Sequence, residues 1–452
     1  MMPFVGRLYE LSVLENEYMK DSSVVIVSGR RGMGKTRLIR EFLENKNAVY
    51  FLATPTNERR AMCEFNDAVD RRYGWRNSPD SWEGILSRFS GHSDNKKILV
   101  IDEFQNMLQF GNGFLGMLRS AWDSVLSKSN VMLILSSSVI SAVSPLSSDQ
   151  DNPMYGAVSK TIELEPLGFE DVAGDMDYSD ALMLYSLHGG VPGFIAEMYG
   201  LSAEGAIDSM MDPDYRGFTG PLETLEGEVK GPSVYLSIMR SIAEGRNRIT
   251  QISEDLGILS TTLNSYLKKL LDNGAVRRDV PSTEYLPERS KSGMYTISDA
   301  HTAFWLRFIH PHLSELSMGE RKGAASDIRA GLEDHIRRVF ADICRKMVPS
   351  LTGDLGFLPI KHGRYWNRNT DIDIVAINPG KRRALVAGCF LYRDKKVDRE
   401  DLNDLIDRAR KVPELRGYVV KIGMFSVNGF EDDLLAEPNL LLIDKGNPVI
   451  HG

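Results

Sequence analysis

Short apolar runs and amphipathic stretches alternate along the first third of the chain. VVIVSG (Val24–Gly29), AVYFLA (Ala48–Ala53), KILVIDE (Lys97–Glu103), VMLILSS (Val131–Ser137) and TIELEPL (Thr161–Leu167) read as strands. Their near-continuous apolar character predicts a parallel sheet covered on both faces by helices. From Phe169 to about Gly217 the period becomes helical, with a break at HGGVPG (His188–Gly193). A compact unit follows from Glu228 to Pro311. GAASDIRAG (Gly323–Gly331) then leads into a long amphipathic helix, Leu332–Met347, and strands and helices alternate again to the end. No internal repeat or low-complexity tract interrupts the pattern. The expected organisation is an α/β core over 1–166, a helical lid over 167–226, a third unit over 227–314 and a C-terminal α/β unit over 315–452.

Composition narrows the class. The chain has 452 residues, 42% hydrophobic and 26% charged, which suits a globular protein of two to four domains. Its net charge of -8 supplies no global field toward DNA, so a nucleic-acid contact would need a local basic patch. Cys63, Cys344 and Cys389 are odd in number and scattered. That argues against a disulfide framework and a zinc site, and for a reducing, cytoplasmic setting. The start, MMPFVGRLYE, has no signal-peptide pattern, and no apolar run approaches the ~20 residues of a membrane span.

The sharpest motif is GRRGMGKT, Gly29 to Thr36, directly after an apolar strand and before the helical RLIREFLE. It matches G-x-x-x-x-G-K-[ST] at every fixed position. Glycines let backbone N–H groups wrap a phosphate, and the following helix N-terminus adds partial positive charge. The phosphate-binding stretch is therefore expected to be Gly29, Arg30, Arg31, Gly32, Met33, Gly34, Lys35, Thr36 and Arg37. Lys35 would reach the terminal phosphates of ATP, and Thr36 would ligate Mg²⁺. KILVIDEF adds Asp102 as a second Mg²⁺ ligand and Glu103 as the group that polarises the attacking water. Ser136, Ser137 and Ser138 end the next strand; Ser138 is a candidate γ-phosphate sensor, and a simple strand-ending turn is the alternative. FVGRLYEL (Phe4–Leu11) reads equally as a wall of the adenine pocket or as an N-terminal cap on the core.

Between Arg246 and Pro281 the chain reads as two short helices closed by Gly257 and Gly274, followed by AVRRDVP, a turn and GMYTISD (Gly293–Asp299). That is the rhythm of a winged helix-turn-helix. Ser260 is the expected N-cap of the second helix, and Leu263, Leu267, Leu270 and Leu271 its buried stripe. Ser260, Thr261, Thr262, Asn264, Ser265 and Lys268 would face outward, where a DNA reader places base contacts. From Arg246 to Asp299 there are eight basic and seven acidic residues, too even a balance for strong phosphate attraction, although Arg277, Arg278, Arg289 and Lys291 gather on the wing. Phe304, Trp305 and Phe308 are expected in the core.

Together, FVGRLYEL, the GKT loop, VIDEF, LSSS with NPMYG, the EPL ending and HGGVPGF resemble the prokaryotic AAA-like ATPases of the "archaeal ATPase" family over about half the chain. The resemblance implies a P-loop NTPase core with a helical lid. It also implies that Gly190 and Pro192 act as the G-x-P element that contacts the base and links nucleotide state to lid position. Family members usually carry an arginine directly after the Tyr-Gly, where this chain has Ala157. Slow hydrolysis is the implied consequence unless Lys160 or Arg119 substitutes.

The C-terminal unit resembles the restriction-endonuclease-like domain that this family often carries. Glu333 matches the helix acid and Asp373 of DID the strand acid. The family's Glu-x-Lys reads here as Gly388-Cys389-Phe390, so a carboxylate and a lysine are missing. Such a site would bind Mg²⁺ poorly unless Arg393, Lys395 or Lys396 migrated into place. HGRYWNRN (His362–Asn369) interleaves basic and aromatic residues, with a solvated loop as the default. The expected function is an ATP-binding and ATP-hydrolysing switch that couples nucleotide state to a winged helix and an inactive nuclease-like module. Its partner would be double-stranded DNA, another protein or a second copy of the chain. The alternative is an ATP-regulated DNA-binding protein or nuclease in DNA defence, repair or transcription.

Overall fold

The structure, a computed structural model, describes residues 4–74, 81–91, 95–229, 231–392, 394–437 and 439–449, with the backbone alone at 226–228. Two compact units emerge. One comprises Met1–Gly168, Val191–Glu197 and Glu223–Lys230; the other comprises Phe169–Gly190, Met198–Leu222 and Gly231–Gly452.

The first unit is built on five strands: β1 (Ser23–Ser28), β2 (Ala48–Leu52), β3 (Lys97–Asp102), β4 (Val131–Ser137) and β5 (Lys160–Glu163). They pair in the order β2-β3-β4-β1-β5, all parallel. Every position of β1, β3 and β4 is buried, because both faces are covered. The alternation along each strand sorts the side chains into two cores. Val25, Val27, Ile98, Val100, Met132 and Ile134 pack with Leu14, Leu38, Ile39 and Phe42 on one face. Val24, Ile26, Leu99, Ile101, Leu133 and Leu135 pack with Phe65, Phe89, Phe114 and Trp122 on the other. The five strands expected from the sequence are these five. The carboxyl end of β1, flanked by β4 and β5, opens the crevice where α/β sheets hold ligands.

In the second unit, helices Ile249–Leu256 and Ser260–Asp272 precede an antiparallel hairpin of β6 (Val276–Asp279) and β7 (Met294–Ile297). Leu263, Leu267 and Leu270 are buried as expected, Leu271 is half-buried, and Thr261, Thr262, Asn264, Ser265 and Lys268 are exposed. Ser260 is not the N-cap: Leu259 holds that position and no side chain caps the helix. Phe304, Trp305 and Phe308 are buried.

The remaining strands are β8 (Lys361–Trp366), β9 (Asp371–Asn378), β10 (Arg383–Phe390), β11 (Val419–Ser426), β12 (Leu440–Asp444) and β13 (Asn447–Pro448). They form one mixed sheet in the order β13-β12-β11-β10-β9-β8. Ile336, Val339, Phe340 and Ile343 of the helix Lys322–Met347 share a core with Ile374, Ala376, Leu385 and Ala387 of β9 and β10. That helix begins well before Leu332, so GAASDIRAG is helical and does not merely lead into it. Gly331 lies mid-helix because the Phe308 ring packs there: an added Cβ would fall 2.7 Å from its Cε1. The packing outweighs the helix propensity that glycine lacks.

The loop between β6 and β7 is seated on the edge strand β8. Ser282 N–H donates to the Arg364 carbonyl at 3.0 Å, Lys361 Nζ to the Glu284 carbonyl at 2.8 Å and Trp366 Nε1 to the Ser292 carbonyl at 3.2 Å. HGRYWNRN is therefore mostly an edge strand carrying a packed loop, not a solvated loop.

Candidate active site

The loop after β1 owes its path to three glycines with positive φ: Gly29 at 151°, Gly32 at 86° and Gly34 at 85°. At Gly29 close packing also matters, since a Cβ would meet the Leu164 carbonyl oxygen at 2.8 Å. The helix Lys35–Phe42 starts directly after Gly34, so its first N–H groups face the loop.

Lys35 is only 5% exposed. Its Nζ donates to the carbonyls of Gly29 at 2.7 Å and Arg30 at 3.2 Å. Burial lowers its pKa, opposed by the nearby Glu103 and Asp102 carboxylates. Thr36 Oγ1 donates to Asp102 Oδ2 at 2.9 Å. Asp102 ends β3, is buried and also accepts the N–H of Glu103 on Oδ1 at 3.0 Å. Glu103 sits at φ 54°, a left-handed conformation rare for a residue with a side chain. Its Oε2 accepts the Ser138 hydroxyl at 2.5 Å and the Gln105 amide.

Other residues singled out from the sequence fall around this loop. Met33 is buried with Val191 and Leu164, against which Phe4 and Phe194 pack. The Arg37 guanidinium lies 6.0 Å from the Phe4 ring centroid. Arg31 is exposed and stands 3.8 Å from Glu223. Arg7 of FVGRLYEL donates to the Met33 carbonyl at 3.4 Å and to the Glu165 carbonyl, tying the N-terminal segment to the loop. Pro192 carbons lie 3.6 Å from where a Gly34 Cβ would be, and Gly193 N–H donates to the Gly32 carbonyl at 3.0 Å. Gly190 belongs to the second unit, where its N–H donates to His188 Nδ1 at 3.1 Å.

The three serines divide. Ser138 touches Glu103; Ser137 Oγ lies 2.8 Å from Gln105 Oε1; Ser136 is buried within β4, and among the described residues its hydroxyl has no partner.

Two residues at the site went unread in the sequence. Tyr50 donates its hydroxyl to Asp102 Oδ2 at 2.5 Å, and its pKa is raised by burial and by that bond. The signal was strand parity. Leu52 pairs with Asp102 across β2 and β3, so Tyr50, two residues earlier, shares its face. Gln105, the second, directly follows the DEF triplet.

Residues 18–138 match the AAA domain family. The chain carries a P-loop ATPase domain of the AAA type. The resemblance to AAA-like ATPases read from the motifs holds. Residues 305–401 match a second family, described as "Archaea bacterial proteins of unknown function". An uncharacterised protein of Methanocaldococcus jannaschii is 26% identical over 397 residues, covering 84% of this chain and 86% of that protein. An uncharacterised ATP-binding protein of the same organism is 48% identical over 44 residues, 10% of this chain and 75% of that one. The Walker-type ATPase of Pyrococcus abyssi shares the fold, with TM-score 0.50 and 19% identity over 67% of this chain and 96% of that chain. The ATPase domain thus sits in the first unit, and no helix among the described residues is long and apolar enough to cross a membrane.

The acids of the C-terminal unit do not converge. Glu333 pairs with Arg337 at 3.0 Å on an exposed helix face. The acid of that helix linked to Asp373 is instead Asp342, held by Arg277 at 2.6 Å and by Arg345, whose Nε donates to the Asp373 carbonyl at 3.1 Å. Asp373 Oδ2 accepts the Cys389 N–H at 3.0 Å. Phe390 folds back over Gly388: a Cβ there would meet its ring at 2.9 Å. Lys395 lies 3.2 Å from Asp398 and 4.3 Å from the Tyr392 ring centroid. Arg393 lies outside the described residues. Among the described residues no cluster of three or more His, Cys, Asp or Glu side chains is placed to hold a metal ion.

Proposed function

We propose that this chain is a Mg²⁺-dependent, slowly hydrolysing ATP switch. It would couple nucleotide state to a winged-helix unit and to a nuclease-like module without nuclease chemistry. The observation that carries the reading is the meeting of Thr36 and Asp102 at 2.9 Å beside the buried Lys35 and within reach of Glu103.

These residues fit ATP and its cation. Lys35 spends its donors on two loop carbonyls, weaker acceptors than phosphate oxygens. Thr36 and Asp102 offer a hydroxyl and a carboxylate oxygen at one point, the oxygen donors a hard cation takes when phosphates and water complete its shell. Bound Mg²⁺ would neutralise charge on the phosphates. Lys35 would orient the phosphates and stabilise their charge, and Glu103 would accept a proton from the attacking water. Met33, Val191, Phe4 and Phe194 supply an apolar wall suited to the base.

Slow turnover is supported by Ala157. Arg119 does not substitute readily, because it bonds Asp123 and the carbonyls of Pro153 and Tyr155. Coupling is supported by the chain path. The backbone passes between units at Gly190–Val191 and again at Glu197–Met198, and Gly193 is bonded to the phosphate loop. A protein partner is favoured over DNA at the wing. Arg277 is bound to Asp342, and Arg278 donates to the carbonyls of Pro287 and Ser290. The exposed polar face of Ser260–Asp272 favours the second reading, a DNA contact through that helix.

The test is phosphate release from ATP with Mg²⁺, with and without double-stranded DNA, using Glu103→Gln and Lys35→Ala as controls. Slow release abolished by both variants and indifferent to DNA supports a protein-partnered switch. Stimulation by DNA would replace it with the DNA-linked reading. Release unaffected by Lys35→Ala would overturn the site.

A further inference from the structure

We propose that Gln105 is a positioning residue that aims the Glu103 carboxylate at the attacking water, with Ser137 supporting the carbonyl end of the Gln105 amide. This rests on reading Lys35, Thr36, Asp102 and Glu103 as a hydrolytic ATP site.

The geometry is a closed set of bonds. Gln105 Nε2 donates to Glu103 Oε2 and lies 3.0 Å from Ser138 Oγ, which itself donates to Glu103 Oε2 at 2.5 Å. Both donors land on the same carboxylate oxygen. Among the described residues no donor reaches Oε1, so that oxygen is left to accept a proton. An amide can be turned either way, and the turn decides whether it donates or accepts. Glu103 decides it: its carboxylate only accepts, so the NH₂ end faces Oε2, and the carbonyl end is left 2.8 Å from Ser137 Oγ, whose one proton is shared between Gln105 Oε1 and the Val139 carbonyl at 3.0 Å. Ser137 is in turn held by the Val139 N–H at 3.1 Å.

The backbone is braced to match. Phe104 is fully buried, and its N–H donates to the Ser136 carbonyl at 2.7 Å. Asn106 N–H donates to the Glu103 carbonyl at 3.0 Å, and Asn106 Nδ2 to the Ala53 carbonyl at 2.9 Å. Between these anchors Glu103 is kept at positive φ, a conformation that persists only where the surroundings over-determine it. The carboxylate lies near Lys35, whose charged form it favours. The bracing therefore points the general base toward the place the terminal phosphate would take. A base held by one side-chain torsion alone would lose this aim, and small misplacements of a catalytic group cost rate steeply.

The test is steady-state ATP hydrolysis and binding of a non-hydrolysable ATP analogue by the full chain. Gln105→Ala is expected to lower kcat about ten-fold, with KM and analogue affinity within about two-fold of the parent. Gln105→Met, which keeps the side-chain volume, should show the same loss, and melting curves establish that both variants fold. Ser137→Ala should lower kcat by about three-fold alone and by nothing further in the Gln105→Ala background, because it acts through Gln105. Unchanged or raised kcat in both Gln105 variants would overturn the proposal, as would losses that multiply in the double variant or a matching fall in analogue affinity. Glu103→Gln and Lys35→Ala separate the two levels. Parent turnover that survives them removes the site itself, whereas turnover that they abolish and Gln105→Met leaves intact removes only the role of Gln105.

Discussion

The Tyr50 hydroxyl donates to Asp102 Oδ2, the same oxygen that accepts Thr36 Oγ1. One carboxylate oxygen thus links the strand β2, the strand β3 and the first turn of the phosphate-loop helix. Removing the hydroxyl takes away one of the two side-chain donors that hold this oxygen in place. Tyr50→Phe is expected to raise the half-saturating Mg²⁺ concentration for ATP hydrolysis about ten-fold, with the fold intact. The check is a Mg²⁺ titration at fixed ATP, together with Mg²⁺-dependent binding of a fluorescent nucleotide. An unchanged titration would show the bond to be purely structural.

Asp342 joins Arg277 of the hairpin to Arg345 of the long helix, and its carboxyl is held below the ordinary range by those arginines against the opposing effect of burial. All three side chains keep a fifth to a third of their exposure, so the loss is smaller than for a fully buried pair. Asp342→Ala leaves two partly buried guanidinium groups facing each other and is expected to cost about 2 kcal/mol. Urea unfolding measures this, and the hairpin should become the first segment cut in limited proteolysis.

Three buried histidines give the second unit an acid limit. Burial pushes His301 and His335 down to about 4 and His188 to about 3, with His301 lowering His188 further. Asp299 opposes the shift at His301, and the Ser186 carbonyl and Asp334 oppose it at His335. The folded pKa values lie below the unfolded value near 6.5, so the unfolded chain binds more protons between about pH 6.5 and 4. Stability is complete above pH 6.5 and falls as the pH drops through that window, by up to ~1.4 kcal/mol per pH unit for each histidine. Melting curves between pH 7.5 and 5 should show the loss, and His335→Gln should make it shallower.

Phe390 occupies the space that a glutamate at 388 would need. Gly388→Glu alone should lower the melting temperature, and adding Phe390→Lys should recover part of it by removing the ring. The parent protein should show no Mg²⁺-dependent DNA cleavage, and Asp373→Ala should change nothing in that assay. Cleavage by the parent that Asp373→Ala abolishes would reverse the assignment of this unit as catalytically silent.

Much of the first unit was legible in the sequence because its rules are local. A strand buried on both faces is apolar over most of its length, which marked β1, β3 and β4 most clearly. A loop that turns through positive φ three times needs glycine, which marked Gly29, Gly32 and Gly34. Asp102 and Glu103 stood at the end of an apolar run and lie at the end of β3, beside Thr36 and Ser138. The tertiary structure decided the rest, because the deciding partners come from elements distant in the chain. Strand order placed Tyr50 on Asp102 and Ser137 on Gln105. A phenylalanine from another helix packs on Gly331 within its helix, and an edge strand took up the segment that read as a turn between the two wing strands. Glu333 and Asp373, paired by motif order, were separated by the helix phase that turned Glu333 to solvent. Local pattern states what a segment can form; register, crossover and helix phase, which depend on the whole chain, state which side chains meet.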